Sequence, residues 1–206
     1  MKTYKEVNES RQSIRQYEIG YKISREELSE IIEETVFAPS SLNMQPVRFF
    51  VVDSDEGKKR LEESVKFNKK QLETCSAMVL IYGDIKAFEN YDAIYQNAVD
   101  QGTMSLEAFN SQKERLTKYY QTIPAGELKE KIMLDAGMVV MNFMLAARNR
   151  GYDTCPIGGF DKDSIMEVVN ITDSRYFPIL LISIGKAEEE GHAKQRLDVN
   201  ALMQWL

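Results

Sequence analysis

Two short basic clusters stand near opposite ends of a 206-residue chain, Arg11-Gln12-Ser13-Ile14-Arg15 and Lys194-Gln195-Arg196. A guanidinium offers a planar fork of donors and an ammonium a point charge, so together they could hold one phosphate monoester. Either cluster alone also reads as a solvated charged surface. A second set, Ala38-Pro39-Ser40-Ser41-Leu42-Asn43-Met44-Gln45-Pro46, is a loop bounded by two prolines, and its amide side chains could match the donor and acceptor edge of a heterocyclic base. The plainer reading is helix termination followed by a turn. The third, Cys155-Pro156-Ile157-Gly158-Gly159-Phe160, carries adjacent glycines that would let backbone approach a planar ligand closely, or that simply mark a turn.

Other chemistries are poorly supplied. His192 is the only histidine, which disfavours a Ser-His-Asp arrangement or a histidine metal site. Neither a G-x-x-x-x-G-K-S/T loop nor a G-x-G-x-x-G after a strand occurs. Cys75 and Cys155 are too few and too far apart for a zinc site or a disulfide scaffold, and are expected to be free thiols. With 26 Lys and Arg against 32 Asp and Glu, the net charge of −6 disfavours nucleic acid or anionic lipid as partner. The segment Met1 to Ser10 lacks the apolar stretch of a secretory signal, so a cytoplasmic location is expected. The longest apolar run, Ile132 to Ala147, is shorter than the ~20 residues a membrane span needs and is interrupted by Asp135 and Asn142.

The elements that must position these clusters can be read from periodicity. Apolar content of 43% is that of a globular chain, and with no linker or repeat the expectation is a single domain over 1–206. Ser24 and Glu27 read as a capping box that opens an amphipathic helix through Leu28, Ile31, Ile32, Thr35 and Val36, ended by Pro39. Phe49 to Val52 reads as a strand, and Asp55 to Leu72 as a helix with a stripe of Leu61, Val65 and Leu72. Ala77 to Tyr82 and Ile179 to Ile184 read as central strands covered on both faces. Ile132 to Arg150 reads as a buried helix closed by Gly151, with Met133, Met138, Met141 and Met144 as packing residues. A further helix is expected over Asp163 to Val169, and 86–131 as a helical excursion with interleaved aromatics. The fold class is α+β, a layered α/β arrangement with helices on both sides of a sheet.

In order, R-x-S-x-R, P-S-S-x-N-x-Q-P, Phe67-Asn68, P-I-G-G-F and the terminal basic pair resemble the nitroreductase family of FMN-dependent oxidoreductases across essentially the whole chain. The resemblance implies a central, mostly antiparallel sheet flanked by helices in an intertwined homodimer. It implies that Arg11, Gln12, Ser13 and Arg15 contact the ribityl phosphate and flavin, joined by Lys194 and Arg196 at the phosphate. It also implies that Pro39, Ser40, Ser41, Asn43 and Gln45 reach the partner subunit's flavin, so that the FMN sites are shared. Asn68 would touch the isoalloxazine edge, and Pro156, Ile157, Gly158 and Gly159 would lie along the ring. Gln12 stands where relatives often carry a basic residue, and Gly158 where some carry Glu.

The implied activity is hydride transfer from NADH or NADPH through tightly bound FMN to a nitroaromatic, quinone or similar small-molecule acceptor by a ping-pong mechanism. No side chain need serve as catalytic acid or base, because the flavin supplies the redox chemistry. The helix Ile132 to Arg150 is expected in the subunit interface, with the tail carrying Trp205 wrapped over the partner and 86–131 near the substrate channel. Two rivals share every binding motif: a non-catalytic flavin carrier or redox sensor, and a family member that uses reduced flavin for dehalogenation or flavin breakdown.

Overall fold

The computed structural model describes residues 2–206. Four strands form one antiparallel sheet in the order β1-β2-β4-β3: β1 Val47–Val52, β2 Ala77–Asp84, β3 Asp153–Ile157 and β4 Tyr176–Gly185. Both central strands extend the apolar runs seen in sequence, and every residue of β2 is buried. Alternation along β2 splits the core into two layers. Ala77, Val79 and Ile81 face a cluster with Leu28, Ile31, Phe143 and Ala147, whereas Met78, Leu80 and Tyr82 face one with Leu61, Leu72 and Ile165. The first layer is built by helices α2 (Arg25–Thr35) and α7 (Ala125–Asn149). The second comes from α3 (Asp55–Leu61), α4 (Lys69–Thr74) and α8 (Lys162–Val168). The sheet is thus covered on both faces, as expected.

Several boundaries differ from the sequence reading, each for a local reason. The helix expected over 55–72 is two helices joined by a 3-10 turn at Lys66–Asn68, because Val65 adopts a non-helical conformation. Cys155 to Ile157, assigned to no element in the sequence reading, forms most of β3, where Pro156 is tolerated because this strand lies at the sheet edge. Helix α7 begins two turns earlier than its apolar stretch, since Glu127, Lys129, Glu130 and Lys131 give that start no hydrophobic signature. At its other end Gly151, at φ 90°, supplies the left-handed cap, and Tyr152 N–H returns to the Ala147 carbonyl at 2.9 Å. Ser24 Oγ accepts from Glu27 N–H, but the Glu27 carboxylate accepts from the Tyr152 hydroxyl at 2.7 Å instead of completing a capping box. The reciprocal box occurs at the start of α1 (Tyr4–Ser10), between its N-cap Thr3 and Glu6 of its first turn.

The excursion consists of α5 (Tyr91–Asp100) and α6 (Leu106–Thr122), which share a satellite core of Ala87, Tyr91, Phe109 and Leu116. Met44, fully buried, joins that core from the Pro39–Pro46 loop, so loop and excursion are tied by packing. Of the four methionines assigned to packing on α7, Met144 is buried and Met141 partly so. Met133 and Met138 are instead exposed, at 45% and 38%, on the face turned away from the sheet. Among the described residues, no helix is long and apolar enough to cross a membrane.

Candidate functional site

The two ends of the chain meet because they are zipped together. Tyr17 and Ala187 form an antiparallel bridge, and Glu188 N–H donates to the Gln16 carbonyl at 3.1 Å. The Glu189 carboxylate accepts from the Arg15 and Gln16 N–H groups at 2.7 and 3.1 Å. A little further along, Arg11, Ser13, Lys194 and Arg196 line one cavity of about 590 Å³, together with Pro156 from β3 and Met141 and Met144 from α7. Lys194 Nζ donates to the Asn8 and Glu9 carbonyls at 3.1 and 2.6 Å. Desolvation, followed by the positive charges of Arg11 and Arg196, holds the Lys194 ammonium below its ordinary pKa. Three cations crowded around one cavity, with a serine among them, form a receptor for a compact anion.

The turn that presents Arg11 is fixed from beneath. Arg148 of α7 donates to Ser10 Oγ at 3.1 Å and pairs with the buried Asp153 carboxylate at 2.8 Å. Burial raises the Asp153 pKa, against the opposing influence of Arg148. Gln12 lies outside the cation-lined cavity: it packs on Gly191, where an added Cβ would fall 1.8 Å from its Oε1. Arg15 enters the arrangement through its backbone N–H.

Beside the cavity, Asn68 Nδ2 donates to the Gly159 carbonyl at 3.2 Å, and Gln71 Nε2 holds Asn68 Oδ1 at 3.0 Å. The 3-10 turn after α3 is thereby fastened to the Pro156–Gly159 segment. Ile157 is buried in the core, whereas a Cβ at Gly158 or Gly159 would meet nothing within 4 Å. These glycines flank open space over which a flat ligand can lie against backbone. Neither thiol competes for a chemical role, for both are buried and burial pushes Cys75 up to about 12.

The remaining residues of the sequence set lie elsewhere. Pro39 lines an apolar groove with Phe37, Leu134 and Met138. Ser40 and Gln45 line a second cavity, and Ser41 a third. The loop that carries them is strained, with Leu42, Asn43 and Gln45 at φ 56°, 53° and 49°. Three contacts hold it. Ser40 Oγ accepts from Gln45 N–H at 3.0 Å, and Arg48 donates to the Gln45 carbonyl at 2.7 Å. Asp135 of α7 takes Ser41 N–H on both carboxylate oxygens at 3.0 Å and the Ser41 hydroxyl at 3.1 Å. The other polar residue of the apolar run, Asn142, donates to the Glu34 and Thr35 carbonyls and closes the end of α2. Neither role emerged from the sequence reading, although a carboxylate inside an apolar helix was the available signal.

The model of the Nitroreductase family matches residues 9–186. The YdgI protein of Bacillus subtilis, which bears the name of an NAD(P)H nitroreductase, is 43% identical over 202 residues, covering 98% of this chain and 97% of its own. A solved structure from Exiguobacterium sibiricum 255-15, a nitroreductase by description and in complex with FMN, superposes with a TM-score of 0.95. It is 44% identical and covers 100% of this chain and 98% of that one. The CLA biosynthesis enone reductase of Lactiplantibacillus plantarum is 31% identical over 198 residues, 96% of this chain and 91% of its own.

Proposed function

The chain belongs to the nitroreductase family, and from that premise we propose an enzyme in which NADH or NADPH and an organic acceptor use one FMN site in turn, each site being completed by a second copy of the chain. The observation that carries this reading is the convergence of Arg11, Ser13, Lys194 and Arg196 on one cavity, beside a glycine backbone that leaves room for a ring. A doubly charged phosphate satisfies the cation crowding felt by Lys194, so the donor set fits the ribityl phosphate end of FMN. Pro156 to Gly159 and Asn68 would border the ring. When bound, FMN supplies the chemistry of accepting a hydride from the nicotinamide and passing reducing equivalents to the acceptor. The side chains named here bind, orient and exclude water. None is required to move a proton.

Two features support a shared site. Within a single copy Ser40, Ser41 and Gln45 line cavities other than the cation-lined one, which favours their reaching the cofactor of another copy; the groove lined by Pro39 adjoins the cation-lined cavity at Met141. The outer face of α7 also leaves Leu134 69% exposed beside Phe37 at 87%, a surface suited to burial against an identical neighbour. The acceptor class extends from nitroaromatics and quinones to conjugated carbonyls, since the enone reductase relative is named for the latter.

The decisive experiment is an absorption spectrum of the purified protein before and after NADH or NADPH is added without oxygen. A yellow protein that bleaches, and recovers when acceptor is added, fits the enzyme. A flavin that stays oxidised makes the chain a carrier instead.

A further inference from the structure

The cavity lined by Ser41, of about 550 Å³, lies between the excursion and the buried helix. It is large enough for a small organic molecule. Its walls are apolar, from Leu42, Leu116, Leu128, Ile132 and Tyr120, and its burial is graded. Ile132 and Asp135 are buried, Lys131 is half-buried and Arg115 is exposed, which sets the two cations at the mouth. The negative charge at the floor is already engaged, since Asp135 holds Ser41 through both oxygens. Lys131 is committed as well, to Glu127 at 3.3 Å. Arg115 differs, having no carboxylate partner among the described residues, while its helix neighbour Lys113 is paired with Asp92. In a chain of net charge −6, an uncommitted guanidinium at the rim of an apolar cavity is a receptor for an anionic head on an apolar body.

We propose that this cavity selects the electron acceptor and that the preferred acceptors are unsaturated or aromatic compounds bearing a carboxylate, which Arg115 engages at the mouth while the apolar portion enters between α6 and α7. The inference rests on the flavoenzyme reading, because the cavity shares Ser41 and Leu42 with the loop assigned to the flavin site. Arg115 acts here on specificity and does not touch the transferred hydride. For a nitro acceptor, one hydride originating on the nicotinamide and one H⁺ taken up from bulk solution convert the nitro group to nitroso and release one water.

The test compares 4-nitrobenzoate with its neutral analogue 4-nitrobenzamide on the holoenzyme, in the parent and in Arg115→Gln and Arg115→Glu. A charge-assisted hydrogen bond predicts that the parent favours the carboxylate by about tenfold in kcat/KM. Arg115→Gln should bring the two substrates to within about twofold, through KM with kcat retained, and Arg115→Glu should reverse the order. Calorimetric titration of the oxidised protein with each compound should show the same pattern without turnover. Equal use and equal binding of the two compounds by the parent, or a preference that survives Arg115→Gln, overturns the inference. Failure of the underlying reading has a separate signature: the parent protein would not bleach with either nicotinamide, whatever it binds in the titration.

Discussion

At the scale of single residues, the phosphate end of the proposed site depends on charges that the chain cannot easily replace. Arg11 and Arg196 converge on one cavity with Lys194, and among the described residues Glu9, whose backbone carbonyl holds Lys194, is the one acidic residue lining it. A hydrogen bond to a charged group is worth about 1.5 to 3 kcal/mol, so Arg11→Ala or Arg196→Ala should weaken FMN about ten- to a hundredfold. Fluorescence titration of flavin-free protein measures this directly, and unchanged affinity in both variants would remove the phosphate assignment. These residues were legible in sequence because their types are few and their clusters compact. The direction of the Gln12 side chain was not legible: adjacent residues on an extended segment point to opposite sides, and this side chain follows Gly191 instead of the cavity.

At the scale of elements, α7 does more than fill the core. Its two polar interruptions each fasten one end of the segment between α2 and β1: Asn142 closes the helix and Asp135 secures Ser41 in a loop with three left-handed residues. Burial raises the Asp135 pKa above the ordinary 3.8, against the lowering influence of its Ser41 hydrogen bonds. The folded protein therefore retains this proton after the unfolded chain has released it. Ionisation consequently costs stability as pH rises from about 3.8 through the folded value, and the cost is absent below that window. Asp135→Asn removes the titration, so the Tm difference between variant and parent should move in the variant's favour between pH 4 and pH 7. A difference that stays constant across that range would show that Asp135 titrates as it does in the unfolded chain. Helices and central strands were readable from periodicity, since apolar runs and caps are local signals. The split of 55–72 and the strand at 153–157 were not, because a broken turn and an edge pairing with β4 depend on partners distant in the chain.

At the scale of the whole molecule, the outer face of α7 and the adjoining Phe37 present an apolar surface that one copy leaves uncovered. Leu134→Glu places a charge at the centre of that face without touching the sheet. If two copies share each site, this variant should be monomeric by light scattering and should lose its flavin together with its partner. A monomer holding one FMN per chain would show that the site is complete within a single copy. The bridge between Tyr17 and Ala187 ties the stretch just after β4 to the start of the chain. All four strands are encoded by position 185, whereas two of the three cations of the cradle lie beyond it. Sheet and cradle are therefore separable along the chain, and a form cut just past β4 would keep all four strands yet lack the two cations that complete the cofactor's anion cradle.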